Sequence, residues 1–223
     1  FASDQESPSH ESTISLPVHA PTLPRDAVKF RSRMGLLLRG DPHLRKPRRK
    51  IVFLDRAEAA AARRAIDPLS KSQLFTLLQQ RAASQGFEFQ TVVFEGLSFA
   101  QQEQAMSDVA IAIGVHGANL VNCILQPAFS VLVELMPYGF EHEMYVEAGR
   151  AGVKYFTHQM TTGLEFPARV QYATTQECIS KNHDCKVHYR DQRLSFVQND
   201  LVELDRILTE AFTYLQTMES SGH

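Results

Sequence analysis

Ile113-Gly114-Val115-His116-Gly117-Ala118-Asn119-Leu120 joins an apolar, β-branched run to a segment with the composition of a short helix. The glycines on either side of Val115-His116 allow a tight strand-to-helix turn. Working outward, residues 109–113 read as a strand and 120–125 as a short helix. On the N-terminal side come a strand at 51–54, a helix at 71–84 with Leu74, Leu77 and Leu78 at helical spacing and Gly86 as its stop, and a strand at 89–94. Ser98 and Gln101 then have the spacing of a capping box, opening a helix that runs to about Ser107. On the C-terminal side the chain predicts a strand at 131–135, a helix at 141–151, a strand at 153–157 and a closing helix at 201–215 carrying Leu201, Leu204, Leu208, Ala211 and Leu215.

Strands alternating with helices imply right-handed βαβ crossovers and a parallel sheet covered on both faces, so the expected class is α/β, a Rossmann-like doubly wound sheet. With 223 residues the chain suits one well-cored domain, placed at 25–217. Residues 1–24, with Pro8, Pro17, Pro21 and Pro24, read as an irregular connector, and 218–223 as a tail. The stretch 161–193 lacks periodicity and is expected to form long surface loops.

Composition narrows the function. Hydrophobic residues at 43% and charged residues at 22% fit a soluble globular chain. Residues 25–50 hold ten Lys or Arg against two Asp, a balance of +8 within a net charge of −2, which leaves −10 elsewhere. That stretch is broken by Met34-Gly35-Leu36-Leu37-Leu38 and reads as an amphipathic helix with solvated charges, so no nucleic-acid partner is expected. The apolar run at 109–115 is far too short to span a bilayer. Phe1 in place of Met, with no apolar signal region, reads as the start of a fragment with room for an anchor upstream.

In an open α/β sheet, ligands sit beyond the carboxyl ends of the strands. The turn at His116-Gly117-Ala118-Asn119 is therefore the first candidate site. Its glycines let the backbone approach a bulky anion, and the following helix presents unpaired N–H groups and a partial positive charge, which suits a diphosphate. The plainer alternative is a tight turn beside a hydrogen-bonded core histidine. Arg56, directly after the first strand, points to the same edge. Arg64, beside Arg63, follows further on, and guanidinium forks bind phosphate bidentately, although surface arginines are commonly solvated or ion-paired. Glu134 ends the fourth strand, where a carboxylate can accept hydrogen bonds from ribose hydroxyls or be ion-paired.

Cys123 reads as a buried hydrophobe. Cys178, His183, Cys185 and His188 leave three states open: a zinc site of unusual spacing, a disulfide, or free thiols. G-x-S-x-G, P-loop and H-E-x-x-H motifs are all lacking, and no G-x-G-x-x-G follows the first strand, which argues against a dinucleotide-dependent oxidoreductase.

From about Arg25 to Leu215 the ordered motifs resemble the family 61 glycosyltransferases, which include plant xylan arabinosyl- and xylosyltransferases and animal O-linked N-acetylglucosaminyltransferases. The resemblance is carried by Ile51-Val52-Phe53-Leu54-Asp55-Arg56, Arg64-Ala65-Ile66-Asp67, Leu97-Ser98-Phe99, and above all Ile113 through Asn122 followed by Pro127 and Val131-Leu132-Val133-Glu134-Leu135. Tyr145, Gly152, Tyr155 and Tyr189-Arg190-Asp191 keep the family spacing. Asn119 stands where the family usually has glycine, and Asp67 where it usually has asparagine. Asparagine tolerates left-handed backbone, whereas Asp67 adds negative charge near the expected phosphate site.

The resemblance implies the donor-binding lobe of a GT-B glycosyltransferase. Transfer would be inverting and metal-independent, from a nucleotide-sugar donor, UDP-linked by expectation, to a glycan or glycoprotein acceptor, with no cofactor beyond the donor. His116 is the implied catalytic residue, and Arg56, Arg64, Gly117, Ala118, Asn119 and Glu134 the implied donor-binding set. It further implies the endoplasmic reticulum or Golgi lumen, where Cys178 and Cys185 are expected to bond. The alternative is a non-catalytic nucleotide-sugar or carbohydrate-binding module that kept the fold.

Overall fold

The computed structural model describes residues 49–56, 63–141, 145 and 152–221. Five parallel strands form one sheet in the order β2-β1-β3-β4-β5, with β1 at Lys50–Asp55, β2 at Glu88–Val93, β3 at Ile111–Val115, β4 at Val131–Met136 and β5 at Lys154–Gln159. Every residue of β3 and β4 is buried, as a parallel sheet covered on both sides requires.

Alternate residues supply two cores. Ile51, Phe53, Ile111, Ile113, Val131 and Val133 pack with Leu74 and Leu78 of α1 (Pro68–Gln85) and with Leu204, Leu208, Ala211 and Phe212 of α5 (Gln198–Ser220). Val52, Leu54, Ala112 and Leu132 pack with Met106 of α2 (Phe99–Met106) and with Leu120, Cys123 and Leu125 of a 3-10 helix at Ala118–Leu125. Helices therefore cover both faces, and the sheet is doubly wound. The chain leaves β1 for β2 at one edge, then returns to place β3 on the other side of β1. The strand order thus reverses between β1 and β3, and the crevice beyond their carboxyl ends is where ligands enter such sheets.

Several elements have different bounds from those expected. Helix α1 begins at Pro68 because Asp67 caps it, its carboxylate accepting the Ser70 N–H at 3.0 Å, with proline in the first turn. Ser98 and Gln101 form the expected capping box on α2. The segment after His116 winds as a 3-10 helix, whose threefold period stacks Leu120 over Cys123 against the sheet. Strand β5 reaches Gln159, and α5 runs to Ser220, into the expected tail.

The stretch expected as long loops is corrected most. It holds a 3-10 turn at Arg169–Gln171, α3 at Thr175–Lys181 and α4 at His183–Arg190. Thr174 caps α3, and Asn182 caps α4 by accepting the N–H groups of Asp184 and Cys185. Both helices are too short to carry a readable apolar period. A disulfide joins them, Cys178 to Cys185 with Cα atoms 6.0 Å apart, buried with Met136, Phe140, Ile179 and Tyr189. The connector at 1–24, the basic stretch up to residue 48 and nearly all of the expected helix at 141–151 lie outside the described residues. Among the described residues no helix is long and apolar enough to cross a membrane.

Candidate functional site

The site begins with the backbone of Gly117. Its φ of 155° and ψ of 175° lie in a region essentially reserved for glycine. Space is equally restrictive: a Cβ there would collide with Arg56 Nη2 and lie 3.2 Å from Arg64 Nη1. Two guanidinium groups therefore stand directly against the Gly117 backbone, one from the residue after β1 and one from the segment before α1. The first helical hydrogen bond runs from Leu120 N–H to Gly117 O at 3.0 Å, so the Ala118 and Asn119 N–H groups precede the ladder at the positive end of the 3-10 helix. Ala118 is exposed and Asn119 half-buried.

Gly114 does other work than expected. It lies inside β3, where a Cβ would press on Leu120 Cδ2 at 2.8 Å and Leu54 Cβ at 3.2 Å. Its missing side chain lets the 3-10 helix pack onto the sheet, and only Gly117 faces the crevice.

Two like charges held together at the mouth of a crevice are unfavourable unless something negative joins them. Burial lowers the Arg64 pKa, Arg56 lowers it further, and Asp191 partly opposes the fall. Arg64 has φ of 58°, and its main-chain N–H donates to Asp191 O at 3.3 Å. Its Nε lies 3.5 Å from Asp191 Oδ1 without a formed hydrogen bond, and its Nη1 donates to His116 O at 3.4 Å. No carboxylate pairs with the Arg56 side chain among the described residues, leaving that fork with the crevice.

Beneath this cationic layer lies a buried polar one. His116 Nδ1 is 2.6 Å from Glu134 Oε1, both side chains almost wholly excluded from solvent. Tyr155 donates its hydroxyl proton to Glu134 Oε2 at 2.5 Å, and Tyr145 donates to Gly117 O at 2.5 Å. Burial, with the Glu134 carboxylate nearby, raises the pKa of both phenols, so they remain donors. The Glu134 carboxyl, 2.6 Å from Nδ1, thus fixes the orientation of the His116 ring. The ring also packs on Phe140, centroids 5.1 Å apart.

The sequence of this crevice is similar to known proteins. The description Glycosyltransferase 61 matches residues 12–133, more than half of the chain. The chain belongs to glycosyltransferase family 61. Its similarity to protein O-linked-mannose beta-1,4-N-acetylglucosaminyltransferase 2 of Xenopus tropicalis is 27% identity over 128 residues, covering 56% of this chain and 20% of that protein. Against the Xenopus laevis protein of the same name it is 30% over 103 residues, covering 45% and 16%. The matched part spans about a fifth or less of the length of these curated relatives.

In this family 61 chain the structure brings together Arg56, Arg64, His116, Gly117, Ala118 and Asn119 at one sheet edge, with Glu134 buried below. Asp67 is occupied by its helix cap. Burial pushes its carboxyl up, but hydrogen bonds, chiefly from Ser70, outweigh this and hold it below the ordinary range. The disulfide decides among the three states that Cys178 and Cys185 allow. Sequence reasoning misses the roles of Tyr145, Tyr155 and Asp191 as supports, because their spacing alone names no hydrogen-bond partner. It also misses His158, whose Nε2 lies 3.1 Å from Asp200 Oδ1 in a second buried pair that ties the end of β5 to the first turn of α5.

Proposed function

We propose that this chain is the donor-binding lobe of a GT-B glycosyltransferase that transfers a sugar from a UDP-linked donor to a glycan or glycoprotein acceptor. The observation that carries the reading is the convergence of Arg56 and Arg64 on the Gly117 backbone at the strand-order reversal. A diphosphate placed there receives two guanidinium forks together with the N–H groups of Ala118 and Asn119. These groups supply full and partial positive charge where the departing nucleoside diphosphate gathers negative charge, the electrostatic task of an inverting transfer that proceeds without a metal.

His116 acts next to that charge, its ring held by Glu134 and its carbonyl held by Arg64. With both Glu134 oxygens engaged by His116 and Tyr155, we assign the carboxylate to orienting the ring rather than to binding ribose. The disulfide between Cys178 and Cys185 supports an oxidising compartment, in keeping with the endoplasmic reticulum or Golgi lumen. The names of the two Xenopus relatives make N-acetylglucosamine the first sugar to test and O-linked mannose the first acceptor.

The test is calorimetric titration of the full-length protein with UDP in the presence of a chelator, followed by transfer from UDP-N-acetylglucosamine to a mannosylated peptide. Binding and transfer are both expected with the chelator present. Absence of UDP binding would overturn the reading, and binding that requires added metal would overturn its metal-independent part.

A further inference from the structure

A groove of about 430 Å³ opens one strand beyond the arginine crevice, between the loop after β4, the end of β5 and the start of α3. Its size falls within the range of small-molecule sites, about 300–1,000 Å³. It shares a wall with the crevice: Gly139 and Glu141 line the groove, while Phe140 between them packs its ring on His116.

The chemistry of the lining is unlike that of its neighbour. Among the described residues no Lys, Arg or His lines it, so these residues offer no cation to a diphosphate. Its walls instead carry the amides of Gln159 and Gln176, the hydroxyl of Thr161 and the carboxylate of Glu141. Gln159 Nε2 donates to Phe140 O at 3.4 Å, which leaves its Oε1 able to accept. Thr161 and Gln176 are exposed, with side chains able to donate and accept. Tyr138 adds a fixed aromatic wall, its hydroxyl tied to Glu165 Oε1 at 2.6 Å. Neutral donors and acceptors beside an aromatic side chain, with a single carboxylate and no cation among the described lining residues, match a ligand rich in hydroxyl groups and without charge.

We propose that this groove receives a pyranose ring beside the diphosphate, an assignment that rests on the donor-site reading above. The ring has two sources, the sugar carried by the donor and the terminal sugar of the acceptor, and one experiment distinguishes them. Thr161→Ala and Gln176→Ala are made in the full-length protein, their folding compared by thermal melting. UDP affinity is measured by titration, and KM for UDP-N-acetylglucosamine and for a mannosylated peptide by transfer assay.

UDP affinity should stay within about twofold of the unmodified protein, while KM for one of the two sugar substrates rises about tenfold in each variant, the usual effect of one lost hydrogen bond to a hydroxyl. The substrate whose KM moves identifies the source. Thr161→Ser, which keeps the hydroxyl, should restore the KM lost in Thr161→Ala. Unmoved KM values for both substrates with UDP binding intact would overturn this proposal alone. A parallel loss of UDP affinity would overturn it in favour of a nucleoside pocket, and failure of Thr161→Ser to recover KM would overturn the hydrogen-bonding role. Lack of UDP binding by the unmodified protein would remove the donor-site reading and this assignment together.

Discussion

Arg64 reaches the crevice because Asp191 holds it twice, through a main-chain bond of 3.3 Å and through a carboxylate oxygen 3.5 Å from Nε. Further bonds continue the seam, Leu194 N–H to Ala65 O at 2.8 Å and Asp67 N–H to Leu194 O at 3.0 Å. The approach to the donor site is thus stitched to the segment that follows the disulfide-linked helices. Asp191→Asn keeps the main-chain bond and removes the charge, so UDP affinity should fall on the order of tenfold with a modest loss in melting temperature. An unchanged affinity would mean that Arg64 is positioned by its backbone alone.

The same carboxylate sets an acid limit. Hydrogen bonds from Arg190 hold Asp191 below the ordinary carboxylate range, burial opposes this, and the positive charges of Arg190, Arg64 and Arg63 reinforce it. A carboxyl depressed in the folded state contributes stability above its unfolded value of about 3.9 and loses it as pH falls through the lower folded value. Thermal stability owed to Asp191 should therefore be level from neutral pH to about 5 and decline below about 4. A melting series from pH 7 to 3 checks this: the difference between the unmodified protein and Asp191→Asn should shrink at the acid end.

Gly117→Ala tests conformation and space together. The backbone at φ 155° strains any side chain, and the added methyl meets Arg56. A cost of about 1–3 kcal/mol in stability is expected. UDP binding should weaken in addition, because the guanidinium must move. Stability and affinity equal to the unmodified protein would show that the turn relaxes freely.

The main features of the sheet were legible because β3 and β4 are buried on both faces and therefore spell continuous apolar runs. Arg56 and the Gly117 turn were legible because each directly follows a strand, and the edge rule needs nothing more. Glu134 was found for its position, but its partners were hidden: Tyr155 and His116 belong to other elements, and no local pattern announces a tertiary hydrogen bond. The sequence shows Asp67 only as a negative charge near the expected phosphate site, and its task as the cap of α1 becomes visible in the structure. The helices after Arg169 were unreadable for the reason that they are short, held by caps and a disulfide rather than by an apolar stripe.

The disulfide should matter to that last region. Closing a loop of about eight residues restricts the unfolded chain by about 2.5 kcal/mol. Replacing Cys178 and Cys185 by serine should lower the melting temperature. The loss should be felt first around Tyr189, which packs against Gly139 with a would-be Cβ contact of 2.7 Å. Hydrogen exchange that rises in α3 and α4 while β1, β3 and β4 stay protected would match this; unchanged exchange in α3 and α4 would show the bond to be dispensable.

The strongest prediction concerns the two arginines, because a group that stabilises developing charge acts more on the transition state than on the bound donor. If Arg56 and Arg64 serve the leaving diphosphate, Arg56→Ala and Arg64→Ala should each lower turnover on the order of a hundredfold, with a smaller loss in UDP affinity. Arg56 carries the sharper test. Among the described residues its side chain pairs with no carboxylate, so the melting temperature of Arg56→Ala should stay near that of the unmodified protein. Arg64→Ala also takes one of the cations around Asp191 away, leaving Arg190 and Arg63, and its melting temperature should drop where that of Arg56→Ala does not. His116→Ala should lower activity as well, and Glu134→Gln should follow it if the carboxylate works by holding the ring. Transfer rates for the four variants, measured with a chelator present and with folding checked by melting, decide the matter. Near-normal transfer by folded Arg56→Ala would remove the guanidinium from the chemistry and leave the crevice without its principal free cation among the described residues.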